Sequence, residues 1–74
     1  MGKLIEVDSS MIRAVKYDAK KQELEVWFNT GGVYCYEEVP QEVYDELLEA
    51  SSKGRFMRDA VIDCYPYSRV SKGR

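Results

Sequence analysis

From Glu23 to Asn29 the chain alternates, with Leu24, Val26 and Phe28 on one side and Glu23, Glu25 and Trp27 on the other. A period of two is the mark of a strand with one buried face. Residues 11–17, Met-Ile-Arg-Ala-Val-Lys-Tyr, have the β-branched and aromatic content of a preceding strand, closed by the polar run Asp18-Ala19-Lys20-Lys21-Gln22. Asn29-Thr30-Gly31-Gly32 is a strong turn signal, because glycine takes positive φ cheaply, and residues 33–39 follow as a third strand. Beyond Pro40 the period changes. Val43, Tyr44, Leu47 and Leu48 recur at helical spacing, proline suits a first helical turn, and Glu42, Asp45 and Glu46 complement the helix dipole, so a helix is predicted over 40–51. Ser51-Ser52-Lys53-Gly54 interrupts it, and a second helix over 55–63 buries Phe56, Met57, Ala60 and Val61. Pro66 ends that run, and residues 65–70 read as extended chain or an edge strand. The expectation is one α+β domain over 1–70: a three-stranded antiparallel β-meander, two short helices and a C-terminal extended segment or edge strand. Residues 71–74 are expected to be a disordered tail.

Register decides what the meander exposes. If the turn pairs Phe28 with Val33, the inward set is Leu24, Val26, Phe28, Val33 and Cys35. Trp27, Tyr34 and Tyr36 then share the opposite face, joined by Arg13, Val15 and Tyr17 from the first strand. An aromatic sheet face carrying an arginine is a surface on which single-stranded bases stack. A slip of one residue reverses every side chain and turns the tyrosines into core beneath the helices. Both arrangements are compatible with the pattern.

Composition narrows the chemistry. A chain of 74 residues, 45% hydrophobic and 32% charged, is one folded domain with a small core. No apolar stretch approaches the length needed to cross a bilayer and no signal-peptide pattern opens the chain, so a cytoplasmic location and no membrane partner are expected. There are no histidines, and the two cysteines, Cys35 and Cys64, stand apart, which removes Cys-His and Ser-His nucleophile pairs and leaves no ligand set for zinc. Reduced thiols are expected. Glu37-Glu38 and Asp45-Glu46 are sequence neighbours whose side chains diverge on a strand or a helix, so no acid/base pair is formed by them. No catalytic residue, metal or cofactor is expected.

Net charge is −2, with a strong polarity along the chain. Residues 23–50 hold eight acids and no base, whereas residues 53–74 hold Lys53, Arg55, Arg58, Arg69, Lys72 and Arg74 against Asp59 and Asp63. A solvated acidic helix face with a basic tail accounts for this pattern, and so does a local anion site. Ser51-Ser52-Lys53-Gly54-Arg55 precedes a predicted helix, where backbone N–H groups favour a phosphate or carboxylate that Lys53, Arg55 and Arg58 would help to hold. An ordinary serine cap followed by surface bases reads the same way. Tyr65-Pro66-Tyr67-Ser68-Arg69 sets aromatics beside a base and suits either a strand-binding edge or a segment packed on the core.

Val7-x-Ser9-Ser10-x-Ile12, Tyr17-Asp18, Leu24-x-Val26-x-Phe28, Gly31-Gly32-x-Tyr34-x-Tyr36, Val39-Pro40-x-x-Val43-Tyr44, Ala50-Ser51-Ser52-x-Gly54-Arg55-Phe56 and Ile62-x-x-Tyr65 form an ordered series. It resembles the KTSC domain across about residues 7–67. That family takes its name from a domain at the carboxyl terminus of some lysyl-tRNA synthetases and also occurs as short stand-alone proteins of bacteria and their phages. The resemblance implies a role near RNA and supplies no catalytic residue to transfer.

The leading expectation is a non-enzymatic module for RNA or single-stranded nucleic acid, with Trp27, Tyr34 and Tyr36 for stacking, Arg13, Lys53, Arg55, Arg58 and Arg69 for phosphates, and Tyr65 as a further binding residue. The alternatives are a protein-interaction or inhibitor protein, including a homo-oligomer formed through the sheet face, and a small-nucleotide sponge holding its ligand near Ser51 to Arg55.

Overall fold

The computed structural model describes residues 4–7 and 9–70. Five antiparallel strands lie side by side in chain order: β1 (Leu4–Glu6), β2 (Ile12–Asp18), β3 (Glu23–Phe28), β4 (Val33–Tyr36) and β5 (Tyr67–Arg69). Between β4 and β5 come α1 (Gln41–Glu49) and α2 (Lys53–Phe56), the latter widening into a π-helical turn over Met57–Val61. The α+β class is as expected, but the sheet has five strands where three in a meander, with at most an added edge, were expected. Three residues are too few to show a period of two, and β1 is identified by its pairing instead: Leu4 with Lys16, Ile5 with Val15 and Glu6 with Ala14. At the other edge, β5 pairs with β4 after the chain has crossed one face of the sheet as helix. The expected disordered tail at 71–74 lies outside the described residues.

The β3–β4 loop sets the register. Phe28 N–H donates to Gly32 C=O at 2.9 Å and Gly31 N–H to Phe28 C=O at 2.9 Å, which closes a loop of Asn29, Thr30 and Gly31. Gly31 sits at φ 107, a conformation that a side chain would strain. Phe28 is thus opposite Gly32, and Trp27 is paired with Val33, Val26 with Tyr34, Glu25 with Cys35 and Leu24 with Tyr36. The expected pairing of Phe28 with Val33 is off by one residue. Tyr34 and Tyr36 therefore join Leu24 and Val26 beneath the helices, and Val33 and Cys35 join Trp27 on the open face.

The core lies between that inner face and the helical layer. Ile12, Val15, Tyr17, Leu24, Val26 and Tyr36 from the sheet meet Tyr44 and Leu47 of α1 and Met57 and Val61 of the π turn. A bulge in β2 between Ile12 and Ala14 lets Ile12 and Val15, three residues apart, both face the core, while Ala14 is buried on the opposite face, where it pairs with Trp27. Tyr17 and Tyr44 stack with centroids 4.8 Å apart and planes 14° from parallel, and the Tyr17 hydroxyl donates to the Val39 carbonyl. Val39 is fully buried because the third strand stops at Tyr36 and not at Val39: Glu38 adopts φ 63, and Val39 N–H turns to Gln22 C=O at 2.9 Å.

The register makes neighbouring residues unequal. Truncating Tyr36 to alanine is expected to cost about 3–5 kcal/mol, as for other large aromatic core residues, while Cys35→Ala is expected to cost less than about 1 kcal/mol. Urea unfolding of the two variants measures this, and the expected pairing of Phe28 with Val33 would have reversed the order.

Candidate phosphate-binding pocket

Two serine-rich bends from distant parts of the chain meet at one end of the domain. In the first, Ser9 Oγ accepts from the backbone N–H groups of Met11 at 3.1 Å and Ile12 at 3.3 Å, and Asn29 Nδ2 donates to the Ser9 carbonyl at 2.8 Å. In the second, Ser52 Oγ accepts from Arg55 N–H at 3.4 Å as the cap of α2. Gly54 lets them touch. A Cβ there would lie 3.0 Å from Met11 Cβ and 3.1 Å from Met11 Sδ, closer than side chains pack without displacement. The two bends enclose a cavity of about 470 Å³, lined by Ser9, Ser10 and Met11 on one side and by Ser51, Ser52, Lys53, Gly54, Arg55 and Arg58 on the other.

The lining is one-sided chemically. Among the described residues it contains three cationic side chains, four serine hydroxyls and no acid. Ser9 Oγ already accepts twice from the backbone and Ser52 Oγ once, and each hydroxyl keeps its proton to donate. Lys53 Nζ donates to the Ala50 carbonyl at 3.1 Å, which uses one of its three protons and holds the ammonium at the rim. Arg55 Nε is 3.8 Å from Asp59 Oδ2 with both side chains more than 70% exposed, an ion pair too solvated to compete strongly for the guanidinium. A concave site offering donors and positive charge suits a group made of acceptors, and a phosphoryl group is the common one.

The residues nominated by sequence divide among four places. Lys53, Arg55 and Arg58 come together in this pocket. Arg13 and Trp27 line a smaller groove of about 220 Å³ with Leu4, Glu6 and Ala14, on the sheet face away from the helices. Tyr34, Tyr36 and Arg69 belong to the β4–β5 edge, where Tyr36 pairs with Tyr67 and Tyr34 with Arg69. The expected platform of Trp27, Tyr34 and Tyr36 on one face does not form, because the slip separates Trp27 from both tyrosines. Tyr65 is half-buried against the core. Two features lie outside the nominated set: Ser9 and Ser10 form a pocket wall, and Tyr67 is the exposed ring of the edge. The repeated Ser-Ser pair was the available signal for the first.

Tyr36 is 3% exposed, and its pKa is pushed up to about 12, first by burial and then by the neighbouring Tyr67, Tyr34 and Asp63. Burial likewise raises Tyr17 and Tyr44. The Cys35 thiol is raised by burial and then by Glu23, Glu25 and Glu37, which makes it a poor nucleophile at neutral pH. Cys64 is an exposed free thiol. Among the described residues, no three Cys, Asp or Glu side chains are grouped to hold a metal ion, and no helix is long and apolar enough to cross a membrane.

A five-stranded antiparallel sheet with its helices inserted before the last strand defines a small α+β domain, and comparison with known proteins gives its family. The KTSC domain model matches residues 8–67, a span that contains both pocket walls, and the chain belongs to the KTSC domain family. A crystal structure of a KTSC domain protein from Yersinia pestis superposes with a TM-score of 0.92 at 28% identity, covering 96% of this chain and 100% of the other. A protein of Tsukamurella paurometabola is 49% identical over 55 residues, 74% of this chain and 82% of its own length. A lysine–tRNA ligase of Nostoc is 32% identical over 68 residues, which is 92% of this chain but 12% of the ligase.

Two outcomes are expected. Gly54→Ala should destabilise the fold by about 1–3 kcal/mol through overpacking against Met11, read as a lowered denaturant midpoint. Because the folded protein holds the Tyr36 proton more tightly than the unfolded chain, this group's contribution to stability is complete below about pH 10 and is lost as pH rises toward 12. Thermal melts across that window, with tyrosinate absorbance to follow ionisation, should show the two changes together.

Proposed function

We propose that this KTSC domain is a non-enzymatic binding module of the cytoplasm whose ligand is RNA or single-stranded nucleic acid, with a backbone phosphate seated in the pocket. The observation that carries the reading is the lining, free of acids among the described residues: Lys53, Arg55 and Arg58 share one cavity with four serine hydroxyls. The similarity to lysine–tRNA ligases supports RNA as the source of that phosphate, since those proteins are named for a tRNA. An acidic chain with a sequence pI near 5.1 is no obstacle to a local site. Six of the thirteen acids lie on α1 and β3, while the described residues lining the pocket include three bases and no acid, so the ligand is met by local charge and not by net charge.

The volume favours one further reading of the same cavity. About 470 Å³ falls within the range of small-molecule sites, so a free mononucleotide would fit. The two ligands separate by experiment. Fluorescence anisotropy with a labelled single-stranded RNA 12-mer should show affinity falling as salt rises, and replacing both Arg55 and Arg58 by alanine should reduce the magnitude of the log–log slope by about 1.4, or about 0.7 per phosphate contact on a single strand. Association insensitive to salt would remove the proposal. Stabilisation by AMP in a thermal melt, with no binding of the 12-mer, would transfer the pocket to the mononucleotide.

A further inference from the structure

Among the described residues, the aromatic side chains on the helix side of the sheet are ordered in a row that ends in solvent. Phe28 of β3 meets Tyr34 of β4 edge-on at 5.7 Å, and Tyr34 meets Tyr67 of β5 at 5.6 Å. Tyr67 also contacts Tyr36 at 5.5 Å. Each step crosses one strand. At the inner end, Phe28 is paired with Ile12, and Asn29 N–H donates to the carbonyl of Met11, a wall residue of the pocket, at 2.9 Å. At the outer end, Tyr67 is 55% exposed, yet two neighbouring rings hold it. Ligand stacking on a ring already held in place orders little that is not ordered before binding.

We infer that Tyr67 is a base-stacking site for single-stranded nucleic acid, with Arg69 as its phosphate contact. This rests on the phosphate reading of the pocket and extends it. Arg69 lies two residues from Tyr67, so both project from the same face of β5, where they are paired with Tyr34 and Tyr36. A ring and a cation spaced along an exposed edge strand match the alternation of base and phosphate in a single strand. The pocket wall at Met11 and the ring of Tyr67 are three strand spacings apart across the sheet and about four residues apart along it, a separation of about 20 Å. A mononucleotide does not reach both, whereas a short single strand does. The stacking role that the sequence assigned to Trp27 and Tyr36 thus falls to a different ring, because Trp27 is on the other face and Tyr36 is core.

The test uses a single-stranded RNA 12-mer containing 2-aminopurine, an abasic oligomer of equal length, and three variants: Tyr67→Ala, Tyr67→Phe, and Arg55→Ala with Arg58→Ala. Tyr67→Ala should weaken the 12-mer about 5-fold or more and abolish 2-aminopurine quenching, while Tyr67→Phe, which keeps the ring, stays within about 2-fold of the parent. The abasic oligomer should bind the parent and Tyr67→Ala equally. If Tyr67→Ala binds the 12-mer like the parent and only the double arginine variant loses it, the stacking site is wrong and the phosphate pocket stands. If neither variant changes binding, both are wrong. If Tyr67→Ala leaves RNA affinity intact and dissociates an oligomer in sedimentation, the edge is a protein interface and the inference is overturned.

Discussion

The loop of Asn29, Thr30 and Gly31 is the constraint on which the rest of the domain depends. With Gly31 at φ 107 and Phe28 held opposite Gly32, β3 and β4 pair in one register only, and that register commits Tyr34 and Tyr36 to the side of Leu24 and Val26. The helical layer then has an aromatic floor to cover. Tyr44 stacks on Tyr17, Leu47 and Val61 close over the strands, and the Tyr17 hydroxyl satisfies the carbonyl of Val39 where the chain leaves the sheet. Among the described residues, no buried side-chain nitrogen or oxygen lacks a hydrogen-bond partner, which is the condition for placing several tyrosines in so small a core without loss of stability.

The second close approach is Gly54 on Met11. The missing Cβ brings the start of α2 against the lead into β2, and only that contact turns two unrelated serine pairs into a single concave surface. Ser9 and Ser52 each perform a local task, ending a bend and capping a helix, and each keeps a hydroxyl proton to donate. Structure and binding potential are therefore carried by the same atoms. The pocket also explains how a chain of net charge −2 presents a cationic site: among the described residues its lining has three bases and no acid.

The lysine–tRNA ligase relatives contain a KTSC-like stretch as about an eighth of their length, while the Yersinia pestis protein is covered in full. A domain that serves both as a part and as a whole must have a self-sufficient core, and the eleven residues buried together here, drawn from three strands, the loop at Val39 and both helical segments, form one.

The apolar pattern by itself determined the α+β class, the central strands β2 and β3, the position of α1 and the KTSC resemblance, because period and turn residues are local properties that the backbone must obey. It also placed Lys53, Arg55 and Arg58 near one another, since they share little more than one helical turn. Tertiary structure decided the rest. Strand β1 exists only through its pairing with β2. Whether Tyr36 is core and Trp27 lies on the open face depends on one residue in a loop, because a strand repeats every two residues and a single step exchanges its faces. The meeting of Ser9 with Ser52, and the exposure of Tyr67 at the edge of the sheet, follow from contacts between segments more than thirty residues apart. No local pattern encodes them, since each segment on its own reads as an ordinary turn, cap or proline-flanked end.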